Sequence, residues 1–342
     1  MKQLRMDLGS SSYDIIIEEG VLEKAEKYIK EVYKNKKIYI ITDANVFPLY
    51  CEKLVESLPS YSVKAFVINP GEESKSIMTY LDLMRQLIAA NIRRDELLIA
   101  LGGGVVGDLT GFIAATLYRG LPYVQIPTSL LSQMDSSIGG KTGIDYAGRK
   151  NIIGAFKQPE RVLIDPLTID TLPKEEIRSG MGELIKHGCI GNVKLLEELE
   201  KSDAITEDII ALSLSVKKEL VELDPFDRKE RMYLNFGHTF GHIIEMKEHL
   251  RHGEAVAKGM LMALQLGIDL GVTEEYTYKA LESILKRYGF DVSVQNYRPL
   301  LRDTIYDKKN LAGKLRFIFI KDFGEVFMQE FNEEDLESEH QN

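Results

Sequence analysis

Four of the chain's six histidines, His238, His242, His249 and His252, fall within 15 residues. In NFGHTFGHIIE the positions Asn235, His238, His242 and Glu245 are three, four and three apart, a spacing that predicts one shared helix face. Two imidazoles at i and i+4 can bind one metal ion together. Thr239 stands where zinc proteases carry their glutamate base, so peptidase chemistry is unsupported. His252 in RHGEAVAKGM is a further candidate ligand, and GMGELIKHG adds Glu183 and Lys186, three apart and pointing the same way. Two imidazoles plus one carboxylate leave zinc the open coordination position that catalysis requires. Spacing makes His242 as good a ligand as His238, and any single histidine can equally be a satisfied structural group. His187, His249 and His340 read as surface or packing residues.

LLIALGGGVVGDLTG sets Gly102, Gly103, Gly104 and Gly107 between a buried strand and the start of a helix, where bare backbone N–H groups and the helix N-terminus can meet a phosphate. The string is not the GxGxxG dinucleotide fingerprint, and a glycine turn also serves to pack a strand close to a helix, so both readings stay open. In TDANV, Asp43 and Asn45 end a strand, at a place suited either to a ribose contact or to an ordinary polar turn. QMDSSIGGKTGIDYAGRKNIIGAF reads as a polar, glycine-rich loop holding Asp135, Ser136, Ser137, Lys141, Thr142, Lys150 and Asn151 and anchored by IIGAF. With Arg119 before it, this set of cations and amides suits a small phosphorylated or carboxylated substrate, a solvated loop being the alternative for any one residue.

The elements that must position these groups follow from the hydrophobic pattern. KKIYIITD, VKAFVINPGE, LLIALGGG and PYVQIPTSLL read as strands. They alternate with helical stretches in VFPLYCEKLVESL, SIMTYLDLMRQLIAAN and VVGDLTGFIAATLYRG, which predicts a parallel sheet covered by helices. Beyond about residue 175 helical spacing dominates until KLRFIFI and EVFMQEF. The expectation is an α/β domain over 1–175 and a mainly helical domain over 176–342. A chain of 342 residues with 44% apolar content can bury the cores of two domains. Its net charge of −10 and lack of a long basic run argue against nucleic acid. No apolar run is long enough for a bilayer and the N-terminus lacks a signal-peptide core, so a cytoplasmic location and no membrane partner are expected. Cys51 and Cys189 alone form neither a disulfide framework nor a thiolate cage, which leaves any metal to histidine and carboxylate.

Taken in order and spacing, GGGVVGD, YRGLPYVQIPTSLLSQMDSSIGGKTGID, RKNIIGAFKQP, LPKEEIRSGMGELIKHG, LNFGHTFGHIIE and HGEAVAKGM resemble the 3-dehydroquinate synthases, over about residues 40 to 310. The resemblance implies a Rossmann-like N-terminal domain, a helical C-terminal domain, bound NAD, one divalent metal (zinc or cobalt) and a homodimer. It also implies the reaction: 3-deoxy-D-arabino-heptulosonate 7-phosphate becomes 3-dehydroquinate and phosphate through transient oxidation, phosphate β-elimination, reduction, ring opening and aldol closure. Carried over to this chain, the metal ligands are Glu183, His238 and His252, and His242 is a proton-transfer group. NAD lies over Gly103, Gly104, Val105 and Asp108, near Asp43, Asn45, Glu72, Lys75, Thr128, Ser129, Lys150 and Thr171. Arg231 and Lys217 hold the substrate carboxylate. Lys141, Asn151, Lys308 and Arg119, the last donated across the dimer, meet its phosphate, and Asp135, Lys186 and Asn235 address its hydroxyls. Three departures stand out: Thr128-Ser129 where the family commonly has two threonines, Gly182 where it has alanine, and Arg149 where it has glycine. The competing readings are a sugar phosphate cyclase making an inosose or valiolone, a metal-dependent alcohol or glycerol dehydrogenase, and a non-catalytic nucleotide-binding scaffold. Asn235, His242, Lys141 and Arg119 are of the dehydroquinate type.

Overall fold

The computed structural model describes residues 1–293, 296–301 and 314–332. Two compact units emerge from its contacts, one of Met1–Pro173 with Ile205–Leu214, the other of Lys174–Ala204 with Ser215–Asn342.

The first unit contains β1 (Lys2–Met6), β2 (Tyr13–Ile17), α1 (Ala25–Val32), β3 (Lys37–Asp43), α2 (Glu52–Glu56), β4 (Ser62–Ile68) and α3 (Ile77–Ala89). It continues with β5 (Leu97–Gly102), α4 (Gly104–Thr116), β6 (Tyr123–Pro127), β7 (Lys141–Tyr146), β8 (Arg149–Phe156) and β9 (Arg161–Ile164). Seven strands form one sheet in the order β1-β2-β9-β6-β5-β3-β4, parallel throughout except for β1 against β2. Strand residues alternate between two cores. Ile38, Ile40, Leu97, Ile99 and Leu101 pack with Ile29 of α1 and Leu54 of α2, whereas Tyr39, Ile41, Leu98 and Ala100 pack with Leu87 of α3 and Leu109 of α4. Both faces being covered, these strands read as continuous apolar runs, as parallel strands do.

The segment expected to be a polar loop departs from expectation. Lys141–Tyr146 and Arg149–Phe156 pair as an antiparallel hairpin closed by Ala147 and Gly148, both with positive φ. Ile144 enters the second core and Ile153 and Ala155 pack against it, so the hairpin's sparse apolar residues suffice to seat it.

The second unit is mainly helical: α5 (Lys174–Gly191), α6 (Val193–Lys201), the later part of α7 (Glu207–Leu223), α8 (His238–Glu248), α9 (His252–Asp269) and α10 (Glu275–Arg287). An antiparallel hairpin of β10 (Lys314–Ile320) and β11 (Val326–Asn332) adds Phe317 and Phe319, which stack, and Phe331, which meets both edge-on, while Phe317 also packs against Phe240 of α8. Small residues let α9 approach its neighbours at backbone distance. A Cβ on Gly253 would fall 1.9 Å from the Ser179 carbonyl oxygen of α5, and one on Gly259 2.1 Å from the Gly237 carbonyl oxygen before α8.

Gly182 belongs to the same crossing, since a Cβ there would lie 2.5 Å from the Gly253 carbonyl oxygen. The alanine usual in the resembling family therefore has no room here unless α5 and α9 separate. Gly182→Ala should destabilise the protein by about 1–3 kcal/mol, read as a lower denaturant midpoint at unchanged slope. In the β7–β8 turn, Ala147 holds φ +52° against its Cβ, so Ala147→Gly should raise stability by roughly 0.5–1 kcal/mol in the same assay.

Candidate functional site

Three helices of the second unit each deliver one donor. Glu183 lies in the middle of α5, completely buried, next to the Gly182–Gly253 contact, and His252 opens α9 one residue before that contact. The Gly253 N–H donates to Ser179 Oγ at 3.1 Å, which pins the start of α9 to α5. His238 is the first residue of α8, preceded by Gly237 at φ +80°, a turn that fits glycine. Glu183 Oε1 stands 3.4 Å from His238 Nε2 and 3.2 Å from His252 Nε2. One donor atom from each of the three residues lies within 4.8 Å of the others. Ligands at about 2.0–2.1 Å from a tetrahedral zinc are separated by about 3.3 Å, so both spacings match edges of such a polyhedron.

Hydrogen bonding and charge support the fit. His238 Nδ1 lies 3.2 Å from the Phe236 carbonyl oxygen, which can only accept, so the ring proton sits on Nδ1 and Nε2 carries a bare lone pair. That lone pair faces a carboxylate oxygen, an arrangement that a cation between them resolves. Burial above all, then the Lys186 charge, holds His238 down to about 3, so its imidazole is neutral. Burial, the largest influence on Glu183, would raise its pKa. The Lys186 charge, with the hydrogen bond and charge of His252, outweighs it and holds the carboxyl well below its usual range. The Lys186 ammonium pairs with Glu183 Oε2, which leaves Oε1 for the histidine side. Burial also opposes the charged form of His252, but hydrogen bonds to Glu183 and Glu245 push it up to about 9. Without a metal the group is thus two carboxylates balanced by Lys186 and protonated His252, and a bound dication would take the place of the His252 proton.

The structure separates the two histidines that spacing could not. His242 is exposed, its ring 5.3 Å from that of His238 and 6.2 Å from that of His252, and it stands outside the donor group. Asn235 corrects an expectation: it ends a tight helical turn, Glu230–Asn235, and the chain breaks at Phe236 and Gly237 before α8 begins, so it does not share the His238 helix face. Arg231, in the same turn, is buried and donates to the Pro225 carbonyl oxygen at 2.9 Å. Lys217 is buried on α7. Sequence reading gave Glu245 no role, yet its Oε2 lies 3.1 Å from His252 Nδ1. Its only sequence signal was its place seven residues after His238.

In the first unit the residues expected near a nucleotide gather at the carboxyl ends of the parallel strands. Asp43 ends β3 and its Oδ1 accepts the N–H groups of Asn45 and Val46 at 2.8 and 3.0 Å. Beyond β4, Lys75 is buried and donates to Asp108 in the first turns of α4 at 2.6 Å, with Glu72 at 4.0 Å. After β5, Gly103 and Gly104 lead into α4, Val105 being the next residue. A Cβ on Gly104 would crowd the Ser136 hydroxyl at 3.1 Å, and one on Gly103 would just touch the Ser129 hydroxyl at 3.4 Å. The Thr128 N–H after β6 donates to the Gly102 carbonyl at 3.0 Å, and Thr171 pairs with Tyr50. The strand order reverses between β3 and β5, and open α/β sheets bind ligands beyond the carboxyl ends at such a reversal. Lys141, Lys150 and Asn151 are exposed on the β7–β8 hairpin, and Asp135 lies in the helical turn Ser132–Ser136 before it. Arg119 is exposed at φ +65°, next to Tyr118 at +53°. Lys308 falls outside the described residues.

Two family models match the chain: "3-dehydroquinate synthase N-terminal" over residues 65–179 and "3-dehydroquinate synthase C-terminal" over residues 180–310. A 3-dehydroquinate synthase of Clostridium acetobutylicum is 42% identical over 345 residues, covering 96% of both chains. Among solved structures, a 2-deoxy-scyllo-inosose synthase complexed with carbaglucose-6-phosphate, NAD+ and Co2+ superposes with a TM-score of 0.84 at 21% identity, over 99% of each chain. A 2-epi-5-epi-valiolone synthase from Streptomyces hygroscopicus with NAD+ and Zn2+ bound gives 0.84 at 25% identity over 95% of each. With the two models together spanning more than two thirds of its length and a curated relative matching it nearly end to end, the chain belongs to the 3-dehydroquinate synthase family.

Proposed function

We propose that this protein converts 3-deoxy-D-arabino-heptulosonate 7-phosphate to 3-dehydroquinate and phosphate, as a homodimer using NAD and one divalent cation, zinc or cobalt. The observation that carries the reading is the convergence of Glu183, His238 and His252 on one point, with a neutral imidazole lone pair aimed at a carboxylate. Identity of 42% to a curated dehydroquinate synthase, against 21% and 25% to the inosose and valiolone synthases, favours this substrate over theirs.

Bound NAD supplies a reversible oxidation that acidifies the neighbouring C–H bond, and the cation polarises the hydroxyl being oxidised. Glu183, His238 and His252 hold the cation, and Lys186 fixes which carboxylate oxygen faces it. The backbone N–H groups at Gly103, Gly104 and Val105 receive the pyrophosphate at the start of α4. Asp43, Asn45, Glu72, Lys75, Asp108, Thr128, Ser129, Lys150 and Thr171 surround the rest of the nucleotide. Arg231 and Lys217, both buried, bind the substrate carboxylate, where a desolvated guanidinium can grip both oxygens. Lys141, Asn151, Arg119 and Lys308 take the phosphate and hold it while the C–O bond breaks, Arg119 reaching across the dimer. Asp135, Lys186 and Asn235 orient hydroxyls, and His242, exposed beside the ligands, moves a proton. Holding both anionic ends of one substrate through successive bond changes is a positioning task.

Purified, metal-loaded protein supplied with the heptulosonate phosphate should release phosphate and form dehydroquinate in equal amounts with no net NADH. Net NADH formation from a simple alcohol would instead indicate a dehydrogenase. His238→Ala should lose bound metal and turnover by at least about a hundredfold, and a variant retaining normal metal content and rate would refute the ligand role. Chelation of the wild type should lower its unfolding temperature, because a cation at a hundred times its Kd contributes about 2.7 kcal/mol to the folded state.

A further inference from the structure

We infer that Glu245 is a positioning residue for the cation: it holds His252 by Nδ1 so that Nε2 stays aimed at the point where Glu183 and His238 converge. This rests on the reading that the triad binds a divalent cation.

Glu245 Oε2 lies 3.1 Å from His252 Nδ1, on the ring edge opposite Nε2, which stands 3.2 Å from Glu183 Oε1. A carboxylate only accepts, so Nδ1 carries the proton and Nε2 is the atom left for a metal. Glu245 lies seven residues after His238, two turns further along α8 and on the same face. One helix thus supplies one ligand and orients another on α9.

The two histidines differ in how much they need such an orienter. His238 has a side chain only 13% exposed and is held by a main-chain carbonyl that no substitution removes. The His252 side chain is 32% exposed, and as the first residue of α9 it has no preceding helical turn to confine its ring. Glu245 is the group observed at its Nδ1. A lost orienter should therefore be felt at His252, as freedom of the ring to turn from the cation toward solvent. Carboxylate orienters of metal-bound imidazoles typically account for 10–100-fold in affinity.

The test is a Co2+ titration of chelator-stripped protein followed by the visible ligand-field absorption. Wild type should show the intense bands of low-coordinate cobalt. Failure of wild type to bind, or unaltered binding by Glu183→Ala, sinks the triad reading itself rather than the role of Glu245. Given wild-type binding, Glu245→Ala and Glu245→Leu should raise the Kd for Co2+ about 10–100-fold and change the band pattern. Glu245→Gln, which retains a carbonyl acceptor for Nδ1–H, should recover most of the affinity and spectrum. Metal-free unfolding temperatures close to wild type will show that the loss is not one of folding, and the leucine variant stands in should alanine fail that check. Wild-type Kd and spectrum in either apolar variant, or a glutamine variant as weak as alanine, would overturn the assignment.

Discussion

The convergence of Glu183, His238 and His252 depends on α9 lying against α5 and α8 at distances that only glycine backbones permit. Gly253 touches the Ser179 carbonyl and Gly259 touches the Gly237 carbonyl, and a methyl group at either position would overlap main-chain oxygen. Ligands on different helices converge only when the helices' relative placement is fixed to a few tenths of an ångström. Long side chains at a crossing leave several rotamers and spacings available, whereas backbone touching backbone leaves one. The donors sit at the contacts themselves, Glu183 beside Gly182 and His252 beside Gly253, so little chain intervenes through which error could accumulate.

The charge arrangement follows from that burial. A carboxylate with no exposed surface is strongly disfavoured unless paired, and Lys186 at i+3 pairs with one Glu183 oxygen while two imidazoles face the other. Removing the lysine would leave the acid to attract a proton, and a protonated carboxyl is a poor ligand. Lys186 is thus required electrostatically before it contacts any substrate. The histidines divide in the opposite sense: one is kept neutral by burial and Lys186, the other is charged by two carboxylates. A cation held between them would displace a single proton.

How much of this was legible depended on whether the signal was local. Strands β3 and β5 were readable because strands covered on both faces carry long apolar runs, as IYII and LLIAL do, whereas β1, β2 and β9 of the same sheet were not read from the sequence. The glycine turn at Gly102–Gly104 was equally plain. The β7–β8 hairpin was not, because Ile144, Ile153 and Ala155 seat it while Tyr146, Ile152 and Phe156 stay exposed and most other residues are the polar and glycine ones that also make loops. Helical periodicity misassigned Asn235, since i, i+3 spacing cannot register the left-handed Gly237 that breaks the chain between Asn235 and His238. The same periodicity made His238 and His242 equivalent ligands. They differ in burial and in which of them joins Glu183 and His252 in one donor group, a tertiary fact. Resemblance to a known family supplied the choice between them, and the Nε2 spacings give its physical reason. Glu245 escaped notice because its partner lies on another helix.

In the first unit the constraint is of another kind. The residues expected near a nucleotide come mostly from loops after five strands, yet each of these loops starts from a strand end fixed by the ladder, and the ends of parallel strands lie in one row. A sheet therefore presents many backbone groups along a line, which suits an extended ligand met chiefly by N–H groups and small side chains. Three close-packed helices present a few side chains to a point, which suits an ion. Each scaffold makes available a different kind of precision: Glu183, in mid-helix, and His238 and His252, at helix starts, converge on one point, whereas Gly103, Gly104 and Thr128 follow strand ends set in a row.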